Sequence, residues 1–550
     1  MSGVDETYDW VVVGSGAGSM ASALVMRGAG KSVLILEKTS FIGGTTAKSG
    51  GVIWVPNNRF MNSEDSAEAG ITYLDAVAED HPGSSHEKRL AYVNESAKMI
   101  DFLVGQGVAL ERASAFWPDY YDDMPGGCKT TRCVTAKPFN TRELGPWRSK
   151  LRKGFMEMPV RLEDGMKLGV VRRDPALAKL QKSIVWKVIK SKLLLKKEVS
   201  AGMALQGRML KASLAAGVEL RTDTPVSELI VENGKVTGVA TPTGRIGARL
   251  GVLVNAGGYA QNQDMRDKYM PGTQILWSQT PEGDTGDLHI EMERIGGLLA
   301  QMDQMVGYQS THAPGWEAAY VTPPAQSLTA KPHCILVDQS GARYMNEGGS
   351  YELYCQTMLE RNKVVPAIPS WAIMDRSYVE LYKVADTFID KKVPQSWIDS
   401  GYLHQADSID ALADSIKADP ATLSGSIDRW NTSCAAGNDT EFGRGNRAYD
   451  HFLGDPYQMP NPSLGAIAKG PFYAVPVVPG DVSTYGGVVT DAQGRVERAD
   501  GSVIEGLYAC GVSTASVMGG VYPGAGCSIG PSLTFGYVAA KHAAGVGNSV

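Results

Sequence analysis

The sequence predicts an α/β protein in which a discontinuous, Rossmann-like dinucleotide-binding domain is built from both ends of the chain and encloses an α+β domain. Three observations predict it. A β-branched run, a glycine turn and a helical stretch follow one another near the N-terminus. The next strand ends in an acid, Glu37. Strands running into small residues then recur at 254–259 (VNAGGY) and 506–511 (GLYACG), far from the first motif.

At ~150 residues per domain, 550 residues allow three or four domain-sized units. With 43% hydrophobic and 20% charged residues and 63 glycines, the composition is globular and excludes disorder, collagen and coiled coil. The seven cysteines, at 128, 133, 334, 355, 434, 510 and 527, show neither CxxC nor zinc-ligand spacing, which argues against a disulfide framework. The N-terminus MSGVDETYDW is acidic and runs straight into a strand, unlike a secretory signal, so a cytoplasmic location is expected. No stretch approaches the ~18 apolar residues of a spanning helix. The net charge of −6 argues against nucleic acid as a partner. The eight histidines lack HExxH or paired spacing, and no metal is expected.

The first element is the strand YDWVVV at 8–13, followed by GSGAGS at 14–19 and the helical stretch MASALVMRGAG. Each part serves dinucleotide binding. Gly14 makes the tight turn, Gly16 lets the backbone approach a pyrophosphate, and the helix N-terminus offers free N–H groups. Glu37, 23 residues after Gly14, accepts from a ribose hydroxyl. The sixth motif position is Ser19 in place of glycine, and the extra glycine falls at Gly18. The segment GGTTAKSGG at 43–51, with the two distant strand ends, favours FAD over NAD, because a longer cofactor needs several contacts.

Further along, Ser84 and Glu87 stand at capping-box spacing before Leu90, Val93, Ala97 and Ile100, a helix over 84–107. Residues 226–257 alternate short strands with Asn233-Gly234 and Thr243-Gly244 turns, as in a β-meander. The expected division is 1–305 with 477–550 for the FAD-binding domain, and 306–476 for the substrate domain.

The sequence resembles the flavoproteins of the fumarate reductase/succinate dehydrogenase type, and among them the 3-ketosteroid dehydrogenases of the Δ1 kind. The resemblance is carried by GSGAGS (14–19), GGTTAKSGG (43–51), PDYYDDMPGG (118–127), RYMNEGGSY (343–351), PFYAVPVVPGD (471–481) and YPGAGCSIGPSLTFGYVAA (522–540). It implies that Tyr522 and the Gly526 N–H bind the substrate's C3 carbonyl. It also implies that Tyr351, after Asn346-Glu347, is the base, and that the supporting tyrosine is Tyr120, with Tyr121 adjacent as an alternative. FAD contacts are expected from Gly14, Ser15, Gly16, Ala17, Gly18, Ser19, Glu37, Lys38, Gly44, Thr45, Thr46, Ser49, Gly50, Gly51, Val226, Ala256, Gly257, Asp287, Gly511, Ser532 and Leu533. Segment 43–51 contains no histidine, so the FAD is expected to be noncovalent.

The chemistry suits these residue types. Removing two hydrogens beside a ketone requires a base for the α-proton, donors for the developing enolate and a hydride acceptor. A phenol, with a reference pKa of ~10, becomes a base near neutrality only beside a donor that stabilises the phenolate. Flavin N5 would take the C1 hydride. Two alternatives share the fold: Δ4-dehydrogenation of the steroid, and oxidation of a smaller cyclic ketone such as a cyclohexanone. A non-catalytic flavin-binding membrane adaptor is a third reading, weakened by the intact Tyr522 and Gly526. The electron acceptor and the oligomeric state are left open.

Residues 166–197 carry eight Lys and two Arg against one acid, Asp174. Within 176–197, Leu177, Leu180, Ile184, Val188 and Leu195 recur at helical steps beside Trp186, which reads as a basic amphipathic helix on a membrane surface. The expected location is therefore peripheral, on the inner face of the cytoplasmic membrane. The alternative is a helix packing its apolar face on the body.

Overall fold

The computed structural model describes residues 4–61, 64–113, 117–317 and 328–547. Its central layer is an eight-stranded sheet. The strand Glu6–Val13 lies between Val33–Leu36 and Gly244–Val254, parallel to both. Val503–Ala509 continues the sheet beyond Gly244–Val254, and Glu219–Arg221 continues it beyond Val33–Leu36. The two ends of the chain thus meet in one sheet. The meander at Glu228–Glu232, Lys235–Thr241 and Gly244–Val254 is antiparallel, as its turn residues require.

The helix Ala17–Gly28 packs on the C-terminal helix Ile529–Ala544. Their crossing explains Gly18: an added Cβ would lie 2.3 Å from the Ser532 carbonyl oxygen, and one on Gly536 would lie 2.3 Å from the Gly18 oxygen. Glycine at this position is required by the close helix contact.

A second, five-stranded sheet is organised by one long strand, Phe472–Thr484, which pairs with Met305–Ser310, Ser370–Met374 and His404–Ala406. Cys334–Val337 adds to Ser370–Met374. The long strand runs unbroken across the expected boundary at 476/477. The helix His86–Gly105 packs on Ile529–Ala544 and on Ala67–Val77. Its N-cap is Ser85, which accepts from Lys88 N; Ser84 instead donates to the Val517 carbonyl, and Leu90 is exposed. The cap is displaced by one residue because Ser84 is taken by this tertiary bond, and with Lys88 three residues after Ser85 the expected capping box does not form.

The basic helix spans Pro175–Leu193, capped by Asp174 with Pro175 in its first turn. Leu177 and Ile184 are buried, and Leu180 and Val188 half-buried, so the lane expected to meet lipid meets the protein instead. Leu195 lies beyond the helix with a positive φ. A different set stands in solvent: Val185, Trp186 (61% exposed), Ile189, Leu193 (73%), Leu194 and Leu195. The N-terminal end is anchored, with Arg173 paired to buried Asp455 at 2.7 Å and the Arg172 guanidinium 3.6 Å over the Phe388 ring.

Candidate active site

The turn at Gly14 is dictated by sterics. Its φ is +95°, and a Cβ would lie 2.2 Å from the Asn255 carbonyl oxygen. Glycine there lets the strand end, the Asn255 strand end and the first helix converge. They open onto a cavity of about 1030 Å³ that is lined continuously from Glu37 and Lys38 to Tyr120, Tyr351 and Tyr522. At the Glu37 end, Ser15 Oγ donates to Glu37 Oε2 at 2.6 Å, and the Thr39 N–H and hydroxyl donate to Oε1. Lys38 Nζ is 2.7 Å from Asp287 Oδ2.

The other end is a cluster of tyrosines gathered from distant segments. Tyr351 is the first residue of the helix Tyr351–Asn362. Its ring is 5.3 Å from that of Tyr120, edge-on, 5.5 Å from Tyr522 and 4.9 Å from Tyr308. The Tyr120 and Tyr351 hydroxyls are hydrogen-bonded to each other. Burial pushes the Tyr351 phenol well up, and the bond from Tyr120 pulls it the other way. Tyr121 is only half-buried, which places Tyr120 rather than its neighbour against Tyr351.

Tyr522 is held by the glycine turn that follows it. Burial pushes its hydroxyl up to about 12; opposing this, Ser528 Oγ lies 3.2 Å away and the Gly526 N–H donates to it. The Tyr522 hydroxyl and the Gly526 N–H therefore meet at one point of the cavity wall. Gly526 has φ +98°, and a Cβ there would sit 2.5 Å from the Val52 carbonyl oxygen and 2.7 Å from Trp54 N. Chemically, the arrangement sets a hydroxyl and a main-chain N–H side by side, which an oxyanion could engage by displacing the bond between them, and places beside them a phenol backed by a second phenol.

The FAD binding domain family model matches residues 9–529. The chain belongs to this FAD-binding family. It is 34% identical to a 3-oxosteroid 1-dehydrogenase of Mycobacterium tuberculosis (strain ATCC 25618 / H37Rv), over 98% of both chains. It is 31% identical to a 4-oxocyclohexanecarboxylate 2-dehydrogenase of Sinomonas cyclohexanicum, over 98% of this chain and 93% of the other. The solved 3-ketosteroid Δ1-dehydrogenase of Sterolibacterium denitrificans, in complex with 1,4-androstadiene-3,17-dione, superposes with a TM-score of 0.90 at 32% identity, covering 98% of this chain and all of that one.

The residues present fit FAD. Gly14, Ser15, Gly16, Glu37, Lys38, Gly44, Thr45, Thr46, Ser49, Gly50, Gly51, Val226, Ala256, Gly257, Asp287 and Ser532 all line the cavity. Ala17, Gly18, Ser19, Gly511 and Leu533 do not. Ala17, Ser19 and Leu533 are fully buried, and Gly511 packs on Asn255 and Ser532. These five stand behind the lining, where the closeness of the helices requires small or apolar groups.

The sequence reading missed Lys48, Asp284 and His289 in the lining. Lys48 donates to the Thr280 carbonyl, and burial holds its ammonium below the usual range. Asp284 accepts from Gly258 N, its Oδ2 has no partner, and burial pushes the carboxyl up to about 6. A buried carboxylate oxygen free to accept, beside Gly257, suits a hydroxylated ligand. It also missed Tyr449, stacked on Tyr120 at 4.0 Å. The Asn-Glu signal before Tyr351 was visible; nothing local marks Tyr449.

Proposed function

We propose that this chain dehydrogenates 3-ketosteroids across C1–C2, with Tyr351 as base and with Tyr522 and Gly526 as donors to the C3 carbonyl. One observation carries it: the Tyr522 hydroxyl and the Gly526 N–H converge beside Tyr351 in a single cavity that also holds the dinucleotide motif. In phenolate form, Tyr351 takes the C2 proton, and the electron pair of that C–H bond moves toward the carbonyl. Tyr522 and Gly526 hold the resulting oxyanion, and each such donor is worth about 2.7–4 kcal/mol in a transition state. Tyr120 steadies the Tyr351 phenolate before transfer. FAD, held along Gly14, Glu37 and the 44–51 segment, would supply the acceptor for the C1 hydride, and loss of that hydride would let the carbonyl re-form and complete the C1–C2 double bond. The FAD is held noncovalently. Two of the relatives named above, called a 3-oxosteroid 1-dehydrogenase and a 3-ketosteroid Δ1-dehydrogenase, support the substrate class.

Anaerobic incubation with a 4-ene-3-ketosteroid and a dye acceptor tests the reading. Loss of two hydrogens, with a cross-conjugated dienone spectrum, is expected. Turnover of saturated 3-ketosteroids alone would favour Δ4 chemistry. Turnover of 4-oxocyclohexanecarboxylate alone would favour the cyclic-ketone reading, for which the Sinomonas relative speaks.

We further infer that the Pro175–Leu193 helix rests on an anionic membrane surface at the inner face of the cytoplasmic membrane. Trp186, Ile189 and Leu193 stand exposed among Lys182, Lys187, Lys190 and Lys192, a pairing of apolar insertion with charge attraction. Leu162 and Met166, just upstream, line the cavity, so a steroid leaving lipid would enter nearby. Among the described residues no helix is long and apolar enough to cross a membrane.

A further inference from the structure

Ser528 ends the glycine turn that begins at Tyr522, and it stands at the N-cap position of the C-terminal helix Ile529–Ala544. A serine there ordinarily turns its hydroxyl to accept an N–H two or three residues on. Here neither donor is open to it. The Gly530 N–H is bonded to the Gly526 carbonyl at 2.9 Å, and the next residue, Pro531, has no N–H to give. Ser528 makes no side-chain cap bond, and its Oγ lies 3.2 Å from the Tyr522 hydroxyl instead.

The pairing is held from several sides. The carbonyl of Pro523, next to Tyr522, accepts from Tyr120 N at 2.8 Å and from the Tyr73 hydroxyl at 2.6 Å. The Cys527 N–H closes the turn on the Gly524 carbonyl at 3.2 Å. Ser528 lines the large cavity together with Tyr522 and Gly526. It also lines a second cavity of about 20 Å³ with Lys88, Tyr485 and Ser516, room for about one water. The Ser528 oxygen can therefore accept from that side while its hydrogen is directed at Tyr522.

A phenol has one hydrogen to donate, and a carbonyl bound at the clamp takes it. The Tyr522 oxygen then acts only as an acceptor. Three groups serve that oxygen: Ser528 Oγ, the Tyr351 hydroxyl and the Gly526 N–H. The proposed reaction withdraws two of the three. Tyr351 as a phenolate has no proton to share, and the Gly526 N–H turns to the developing oxyanion. Ser528 stays in place.

We propose that Ser528 is a positioning residue for the carbonyl clamp: its hydroxyl donates to the Tyr522 oxygen, which aims the Tyr522 hydrogen at the C3 carbonyl and strengthens that bond as charge develops there. This rests on the reading of Tyr522 as a carbonyl donor. Hydrogen bonds in a chain polarise one another, so a Tyr522 hydroxyl that receives from Ser528 gives a stronger bond to the oxyanion. The ground-state ketone carries less charge and gains less.

The test is anaerobic single-turnover flavin reduction across a range of 4-ene-3-ketosteroid concentrations. It compares the holoenzyme with its Ser528→Ala, Ser528→Thr and Tyr522→Phe variants and with the Ser528→Ala, Tyr522→Phe double variant. Ser528→Ala should lower the limiting rate about 2- to 12-fold, the range for one neutral hydrogen bond, with the half-saturating concentration little changed. Ser528→Thr, which keeps a hydroxyl, should restore the rate. In the Tyr522→Phe background the relay has no hydroxyl to act through, so adding Ser528→Ala should cost nothing more. If the alanine variant fails to retain FAD, Ser528→Cys, with a weaker donor, replaces it in both backgrounds. The same fractional loss in both backgrounds, or no loss in either, would overturn the role of Ser528. A Tyr522→Phe rate equal to wild type would instead overturn the clamp reading itself.

Discussion

Replacing Gly526 by alanine tests the carbonyl clamp by geometry alone. Gly526 has φ +98°, where a side chain costs about 1–3 kcal/mol. The added methyl would stand 2.5 Å from the Val52 carbonyl oxygen and 2.7 Å from Trp54 N. Both are main-chain atoms, so no side-chain rotation relieves the overlap. The 522–526 turn must shift, and the Gly526 N–H then leaves the position it shares with the Tyr522 hydroxyl. A misplacement of ~1 Å at a reacting centre costs about 10²-fold in rate, or about 2.7 kcal/mol. The assay is single-turnover flavin reduction by steroid, which isolates the chemical step. Gly501→Ala is the control: its φ is +80° but nothing lies within 4 Å of the added methyl. It should lose about 1 kcal/mol of stability with an unaltered rate. A Gly526→Ala enzyme that retains FAD and reduces it within threefold of wild type would refute the clamp.

Tyr351→Phe should lower the reductive rate by ~10²–10⁴-fold while the flavin spectrum persists, since a positioned base contributes that much. Tyr522→Phe should cost about 2.7–4 kcal/mol in kcat/KM, measured in the same assay. Trp186→Glu with Leu193→Glu should abolish cosedimentation with anionic vesicles, and unchanged binding would refute the lipid contact. Burial lowers the His289 imidazole to about 4, against about 6.5 when unfolded. Between those values the unfolded chain takes up the proton and the native one does not. Stability is therefore full above pH ~6.5 and falls by about 3 kcal/mol as pH drops to ~4. Thermal melts of His289→Gln should lack that part of the acid loss.

The nucleotide half was legible because its logic is local. A strand, a positive-φ glycine and a helix start are decided within a dozen residues, and Gly14 behaves as its motif requires. The sequence also marked Tyr522 and Gly526, which share one short turn. The close helix contact at Gly18 was not legible, because it is set by Ser532, more than 500 residues away. The capping serine shifted to Ser85 because Ser84 is claimed by Val517, again a long-range partner.

By itself, then, the sequence determined the cofactor fold and the basic character of the 166–197 segment, and it marked the residues of the proposed site. Periodicity names an apolar face of a helix but not what lies against it. Only the tertiary structure decided that Leu177 and Ile184 pack inward while Trp186 and Leu193 face outward. It also brought Tyr120, Tyr351, Tyr449 and Tyr522 together from four segments. The physical reason is that burial and pairing belong to contacts between distant segments, and a group's charge state follows from those contacts rather than from its neighbours in the chain.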